Sequence, residues 1–392
     1  MNTSFDCIIV GGGMVGAALA LALCKQNKSV ALIERHLPKH DWLSQAPLRV
    51  SAINRFSEDY LSDLGLWRHI GDTSKCVFKQ LATWEHGVKP LVFDADEIEK
   101  THLGYLIRNE ALQIAAYDEF DNIENKPQLF TDMDLVDIVQ DETQASVILK
   151  SEKDQITLSA SLIVGADGAF SKTRQLAGLG ISGWDYQQHC LSITIKTDFE
   201  TQAITWQEFQ PSGPKAFLPL ANGYSSLIWY DAPEKIRALS KLDNNQMKLQ
   251  ILEVFPPLAG DFEVVQQASF GLTRRRANHY FNNRVVLVGD AAHTINPLAG
   301  QGVNLGYKDV SELAKQVESI DLTDLSMVVK TLKQYQLKRK ADSLVMSGAM
   351  DGFYKLFSND KAPLKFIRSS MLNVANQFDF ARKQVLKKAI GY

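Results

Sequence analysis

The sequence is poor in cysteine: Cys7, Cys24, Cys76 and Cys190 are scattered over 392 residues with no Cys-x-x-Cys pair. That spacing excludes zinc-ribbon, thioredoxin-type and disulfide-framework architectures and points to a reducing compartment. No apolar run approaches the ~18 residues a membrane-spanning helix needs, so no bilayer crossing is expected. The N-terminus lacks a basic stretch followed by an apolar core and a cleavage site, and the expectation is a cytoplasmic protein. Positive charge is not in excess either, with 42 Lys plus Arg against 45 Asp plus Glu and a net charge of -3. Without a global positive field, nucleic acid is excluded as a partner. Internal repeats and low-complexity stretches are also missing.

What remains is a folded composition, 45% apolar and 22% charged, on a chain long enough for roughly two to three domains. The near-neutral charge hides an asymmetry. From Lys333 to Tyr392 there are twelve Lys or Arg against four Asp, a local +8, interleaved with Phe353, Tyr354, Phe357, Phe366, Phe378 and Phe380. A solvated helical face accounts for most of these residues. The alternative is a basic, aromatic contact for a membrane surface or a partner protein.

Phe5 to Val10 is a short apolar run that ends in three glycines, Met14 to Lys25 is rich in Ala and Leu, and Ser29 to Glu34 is a second apolar run. Strand, Gly-rich turn, helix and strand make a βαβ unit, so the fold class is α/β. Helical patterns follow at Ser57 to Gly65 and Asn109 to Phe120, with strand patterns from Leu129 to Val164. Four β-rich runs, Cys190 to Ile195, Thr205 to Gln210, Lys215 to Leu220 and Ser225 to Tyr230, read as an antiparallel meander in a second domain. Arg284 to Gly289 returns to a buried strand, and the chain beyond about Thr323 reads as helical.

Gly11-Gly12-Gly13-Met14-Val15-Gly16 fits G-x-G-x-x-G in the required context, directly after a strand and opening a helix. Gly11 permits the turn, Gly13 lets backbone amides approach a pyrophosphate, and Gly16 lets helix and sheet close. Glu34 ends the next strand where an acceptor for ribose hydroxyls belongs. A second match, Gly178-Leu179-Gly180-Ile181-Ser182-Gly183, follows no strand and reads as a loop. Gly165-Ala166-Asp167-Gly168 closes another strand. Gly289-Asp290-Ala291-Ala292-His293, followed by Pro297, Gly300, Gly302, Val303 and Asn304, places a carboxylate at a strand end and a Gly-rich segment at a helix start.

Together these three motifs resemble the FAD-dependent aromatic hydroxylases of the para-hydroxybenzoate hydroxylase type, the group A flavoprotein monooxygenases. Within them, the run from Gly289 to Gly306 is similar to the ubiquinone-biosynthesis hydroxylases. Thr205-Trp206-Gln207, Gly213 to Leu220, Phe353 to Asn359 and Pro363-Leu364 look most like the branch acting on a demethoxyubiquinol ring.

The resemblance implies a Rossmann-like FAD-binding domain (1–72, 102–178 and 272–335) interleaved with an antiparallel β-sheet substrate domain (73–101 and 179–271), plus a C-terminal helical region (336–392). It places Gly11, Gly13, Val15 and Gly16 on the FAD pyrophosphate, Glu34 on the ribose, and Arg49 and Asn109 along the cofactor. It places Asp290 near the ribityl or pyrophosphate region, and Pro297, Gly300, Gly302, Val303 and Asn304 against the isoalloxazine. Asp167 and Gly168 would serve both FAD and NAD(P)H, although for Asp167 a purely local role is an equal alternative. Arg108 stands where relatives often carry an acid.

The implied chemistry is ring hydroxylation of a polyprenyl benzoquinol, with NAD(P)H as donor and O2 added at the flavin C4a carbon. Phe217, Leu218, Pro219 and Trp229 are candidate walls for the substrate, and His293 and Pro297 are candidates at the reacting centre. For the four wall residues ordinary core packing is the stronger reading, and for His293 the orienting of a loop. A membrane-edge location at the inner face of the plasma membrane would suit such a substrate. The alternatives are a sister phenol hydroxylase, a flavin reductase or halogenase, and a non-catalytic FAD-binding subunit. Neither Trp184 nor Trp206 stands in the Trp-x-Trp-x-x-Ile pattern that halogenases of this fold carry.

Overall fold

Apolar runs without a polar face are stable as strands only when both faces are covered, and Phe5 to Val10 is such a run. In the computed structural model, which describes residues 3–295, 302–357, 383–384, 386–388 and 390–391, strand Ser4–Val10 lies at the middle of an 8-stranded sheet. It pairs in parallel with Val30–Glu34 and with Gln155–Gly165. Gln128–Thr131 and Val285–Leu287 extend the sheet in parallel on either side. Strand Ala145–Lys150 attaches antiparallel to the first half of Gln155–Gly165, and Asp134–Gln140 attaches antiparallel to Ala145–Lys150. Helix Met14–Lys25 is apolar on nearly every side, because it packs against helices Asn109–Phe120 and Gly302–Val317 as well as the strands.

A second 8-stranded sheet contains the long strands Ile181–Thr197 and Phe262–Ala277 together with Ile204–Phe209, Lys215–Pro219 and Tyr224–Asp231. The expected meander is present, but the sheet is not wholly antiparallel, since Ile204–Phe209 runs parallel to Gln80–Glu85. These two strands are far apart in the chain and meet without a hairpin, which frees their relative direction.

Three expectations from the sequence shift. Strand Lys75–Phe78, assigned to the second domain, pairs with Gly104–Arg108, which also pairs with Val50–Asn54, in a separate 3-stranded sheet. Phe262–Ala277 stays paired with Ile181–Thr197 up to Ala277, so a boundary at 272 cuts a continuous strand. The same pairing makes Ile181 to Gly183 the start of a strand instead of a loop. A Cβ at Gly183 would lie 1.9 Å from the Arg274 carbonyl oxygen, so this glycine serves close strand approach.

The two faces of the second sheet differ. Leu191, Ile193, Phe217, Leu227 and Trp229 form one core with residues of helices Pro233–Leu239 and Asn244–Val254. The opposite face meets the first domain. There the Thr194 hydroxyl donates to the Pro47 carbonyl at 2.6 Å and the Gln266 amide donates to the Ala46 carbonyl at 2.8 Å.

Helix Leu325–Phe357 buries Val328, Leu332 and Tyr335 in the first core. Among the described residues no helix is long and apolar enough to cross a membrane. Beyond it, Leu386 and Ile390 are buried among Phe78, Phe93, Leu106 and Leu220, between the small sheet and the second sheet. The Phe56 amide donates to the Ile390 carbonyl at 3.2 Å, and Lys308 donates to the Gly391 carbonyl at 2.9 Å. Truncating Leu386 and Ile390 to Ala is expected to cost about 2–4 kcal/mol each, read as a lower midpoint in denaturant unfolding. Lys388→Ala, at an exposed position, should leave the midpoint unchanged.

Candidate cofactor and active site

The glycine fingerprint is built by close approach. Gly11 has φ +98°, and a Cβ there would lie 2.5 Å from the Ala166 carbonyl oxygen, while a Cβ at Gly16 would lie 1.9 Å from the Gly11 carbonyl oxygen. Both positions therefore exclude any larger residue on packing grounds. Gly13 differs, because nothing lies within 4 Å of its ideal Cβ. Helix Met14–Lys25 has no side-chain cap at Gly13 and no acidic residue in its first turn. Its unpaired amides and positive end thus remain free for an anion. The Val15 side chain instead packs between Gly289 and Gly306, leaving only its backbone for a ligand.

Glu34 stands beside this turn. One carboxylate oxygen accepts from the Gly12 amide at 2.7 Å and the other from the His36 amide at 3.1 Å. Gln113 and Tyr117 donate to the Gly12 carbonyl at 3.0 and 3.1 Å. Arg49 is exposed, and its carbonyl accepts from the Asn109 amide at 3.0 Å. The Asn109 side chain accepts from Ser51 at 2.8 Å. Arg108 turns inward and donates to the carbonyls of Trp42, Leu43 and Gln45 at 2.8 to 3.0 Å. An acid could not tether these carbonyls, which gives the departure at this position a local purpose.

Asp167 lies next to Gly11 through Ala166, but its oxygens are engaged: one accepts from Ser171, the other from the Thr173 amide at 2.9 Å and hydroxyl at 3.0 Å. Its carboxylate fixes the turn that Gly168 makes with φ +76°.

At the third motif, strand Val285–Leu287 leads into the turn Gly289–Ala291, on which Asp290 is exposed. His293 is 2% exposed, and its Nε2–H donates to Asp309 Oδ2 at 2.7 Å. Asp309 Oδ2 also accepts from the Gly289 amide at 2.8 Å, and Oδ1 from Arg339 Nε at 2.6 Å. Burial opposes charge on His293, but the Asp309 carboxylate outweighs it and the imidazole is shifted upward. Burial likewise opposes charge on Asp309, but His293 and Arg339 outweigh it and hold the carboxyl below its ordinary range.

Helix Gly302–Val317 starts at Gly302, where no described residue lies within 4 Å of the ideal Cβ, and Val303 is half-buried beside it. The Asn304 side chain accepts from the Asn54 amide at 3.1 Å and donates to the Ala52 carbonyl at 2.7 Å. It thus ties the helix to strand Val50–Asn54. Pro297 and Gly300 lie outside the described residues.

The substrate-wall expectations divide. Phe217 and Trp229 face the helices: Phe217 stacks on Trp206 at 5.6 Å and Trp229 meets Phe255 edge-on at 5.5 Å. They are core residues, because strand alternation turns them away from the first domain. Pro219 is buried and shares their parity. Leu218 faces the other way, with Val50 and Ala52 at the same cluster.

These pieces suit FAD: an uncapped helix end with an open Gly13 for a diphosphate, an adjacent carboxylate for hydroxyls, and a second helix start at Gly302. The model of the FAD binding domain family matches residues 4–341. The chain belongs to the FAD-binding-domain family of flavoprotein monooxygenases. It is a FAD-dependent monooxygenase.

It is 38% identical over 392 residues to 3-demethoxyubiquinol 3-hydroxylase of Escherichia coli, covering 100% of this chain and 99% of that one. To the ubiquinone hydroxylase UbiL of Rhodospirillum rubrum it is 30% identical, covering 98% and 89%. The p-nitrophenol 4-monooxygenase of Pseudomonas putida superposes with a TM-score of 0.83 at 18% identity, over 100% of this chain and 99% of that one. The para-hydroxybenzoate hydroxylase-like α/β fold is thereby shown.

Sequence reasoning missed Asp309 and Arg339. The available signal was a charged residue at a core position on each of two helices. In this flavoprotein the glycines separate two effects. Gly16→Ala is expected to abolish stable folding. Gly13→Ala is expected to leave the apoprotein melting point unchanged while weakening FAD binding about tenfold or more, measured by flavin titration.

Proposed function

We propose that this monooxygenase hydroxylates a polyprenylated demethoxy-benzoquinol ring in ubiquinone biosynthesis, with NAD(P)H as electron donor and O2 as oxygen source. The observation that carries the reading is the end-to-end similarity to the Escherichia coli 3-demethoxyubiquinol 3-hydroxylase, which spans cofactor and substrate sheets alike. When bound, FAD would supply what no side chain has: acceptance of hydride from NAD(P)H and activation of O2 at the flavin C4a carbon for transfer to an electron-rich ring. The chain supplies placement and dryness. Amides at Gly13 to Gly16 would hold the diphosphate, Glu34 would take ribose hydroxyls, and Asp290 would serve the polar chain of the cofactor. Leu218 contributes apolar wall on the sheet face turned toward Val50 and Ala52, where excluded water protects the oxygen transfer.

A polyprenyl tail confines such a substrate to a bilayer, so the enzyme meets it at the inner face of the plasma membrane. The local +8 between Lys333 and Tyr392 supports this, since each basic residue near an anionic surface adds ~1 kcal/mol. Part of that stretch, 358–382, lies outside the described residues. Reversing Lys361, Lys365 and Arg368 to Glu is expected to remove salt-sensitive sedimentation with anionic vesicles, and unchanged sedimentation would reject membrane docking by this stretch.

For the reaction itself, cells lacking the protein should accumulate a demethoxy quinone, resolved by mass spectrometry. The purified flavoprotein should oxidise NAD(P)H faster when the ring is added, with a product one oxygen atom heavier. An earlier phenol accumulating instead favours a sister hydroxylase. No stimulated oxidation by folded, flavin-loaded protein favours a non-catalytic subunit.

A further inference from the structure

The geometry assigns His293 as a positioning residue that acts through Asp309 to hold two separate parts of the flavin cradle in register. This holds whichever ring is hydroxylated. One part is the turn Gly289–Ala291 that carries Asp290. The other is helix Gly302–Val317, whose first turn carries Gly302 and Asn304.

The two parts meet at Val15 of the fingerprint helix. A Cβ at Gly306 would lie 2.6 Å from Val15 Cγ2, and one at Gly289 would lie 3.3 Å from Val15 Cγ1. At such separations a shift of either part moves its neighbours, so their spacing has to be set by something stiff. Asp309 does this from within helix Gly302–Val317. Its Oδ2 takes both the Gly289 amide at 2.8 Å and His293 Nε2–H at 2.7 Å, the two ends of the segment that carries Asp290. Its Oδ1 is held by Arg339 Nε at 2.6 Å from the C-terminal helix, and Arg339 is fixed in turn by Asp342 and the Leu305 carbonyl.

His293 uses one nitrogen for this. Its Nδ1 is buried with no hydrogen-bond partner among the described residues, and its ring lies 5.8 Å from that of Tyr280. A proton relay needs a partner on each side of the imidazole. A positioning role needs only the Nε2–H donor, which a glutamine amide also offers.

The test compares His293→Phe, which keeps bulk and removes the donor, with His293→Gln, which restores a donor. Three quantities are read for each purified protein: FAD dissociation constant by apoprotein titration, midpoint potential of the bound flavin, and turnover. His293→Phe is expected to weaken FAD about ten- to a hundredfold, the effect of losing one charge-assisted hydrogen bond, and to displace the midpoint potential. His293→Gln is expected to recover both to within about threefold in affinity and to recover turnover with them. A folded His293→Phe protein with unchanged affinity and potential overturns the assignment. So does a His293→Gln protein that binds FAD normally at an unchanged potential yet has lost turnover, because the imidazole would then be handling a proton. If His293→Phe does not fold, the glutamine variant alone decides between these outcomes. Failure of the quinol ring as a substrate would leave the affinity and potential readings intact, since both are measured without it.

Discussion

A carboxylate sealed from water is tolerable only when its charge and lone pairs are matched, and Asp309 is such a group. Its three partners come from two other stretches of chain: Gly289 and His293 after a strand of the parallel sheet, and Arg339 on the last long helix. Losing any one of them leaves a buried charge short of a partner, which disfavours alternative packings of these elements more sharply than apolar contact would. The surrounding core of Tyr280, Tyr307, Val310 and Tyr335 is apolar contact with little directionality. Asp309 supplies that directionality, and the distance between Asp290 and the N-terminal turn of helix Gly302–Val317 follows from it.

Buried arginines perform related work around the site. Arg108 collects the carbonyls of Trp42, Leu43 and Gln45. Arg174 takes those of Ala291 and Ala169, and Arg284 those of Ser161, Leu322, Glu142 and Thr323. Irregular backbone packed against a core has carbonyls that no ladder satisfies. A planar guanidinium with five donors can serve several at once. Arg174 thus holds the backbone beside Asp290 and Gly168 without itself needing to touch a cofactor.

How much of this was legible in the sequence depended on range. The fingerprint could be read because its pattern is local: a strand, a glycine at 16 forced by the Gly11 carbonyl, and a helix with no cap of its own; the Ala166 backbone that forces Gly11 is distant in sequence. Helix Asn109–Phe120 and the strands from Lys215 to Tyr230 were likewise readable from short-range periodicity. For Phe217 and Trp229 core packing was already the stronger reading, but alternation separates two faces without saying which is covered by helices. That information lay in Pro233–Leu239 and Asn244–Val254. The parallel pairing of Ile204–Phe209 with Gln80–Glu85, and Asp309 with Arg339, join partners that share no local pattern. For His293 the sequence offered a titratable group beside an acid, and only the geometry revealed that its acid is Asp309.

The return of Leu386 and Ile390 to the wall built by Phe78, Phe93 and Leu220 has a consequence for biogenesis. The small sheet and the second sheet are translated early, yet their junction stays open to solvent until residue 390 clears the ribosome exit tunnel. At elongation rates of about 5–20 residues per second, the nascent chain carries an unfinished apolar seam for many seconds. That seam is among the last parts of the described core to close, because its two covering side chains are so distant in sequence from the sheets they cover.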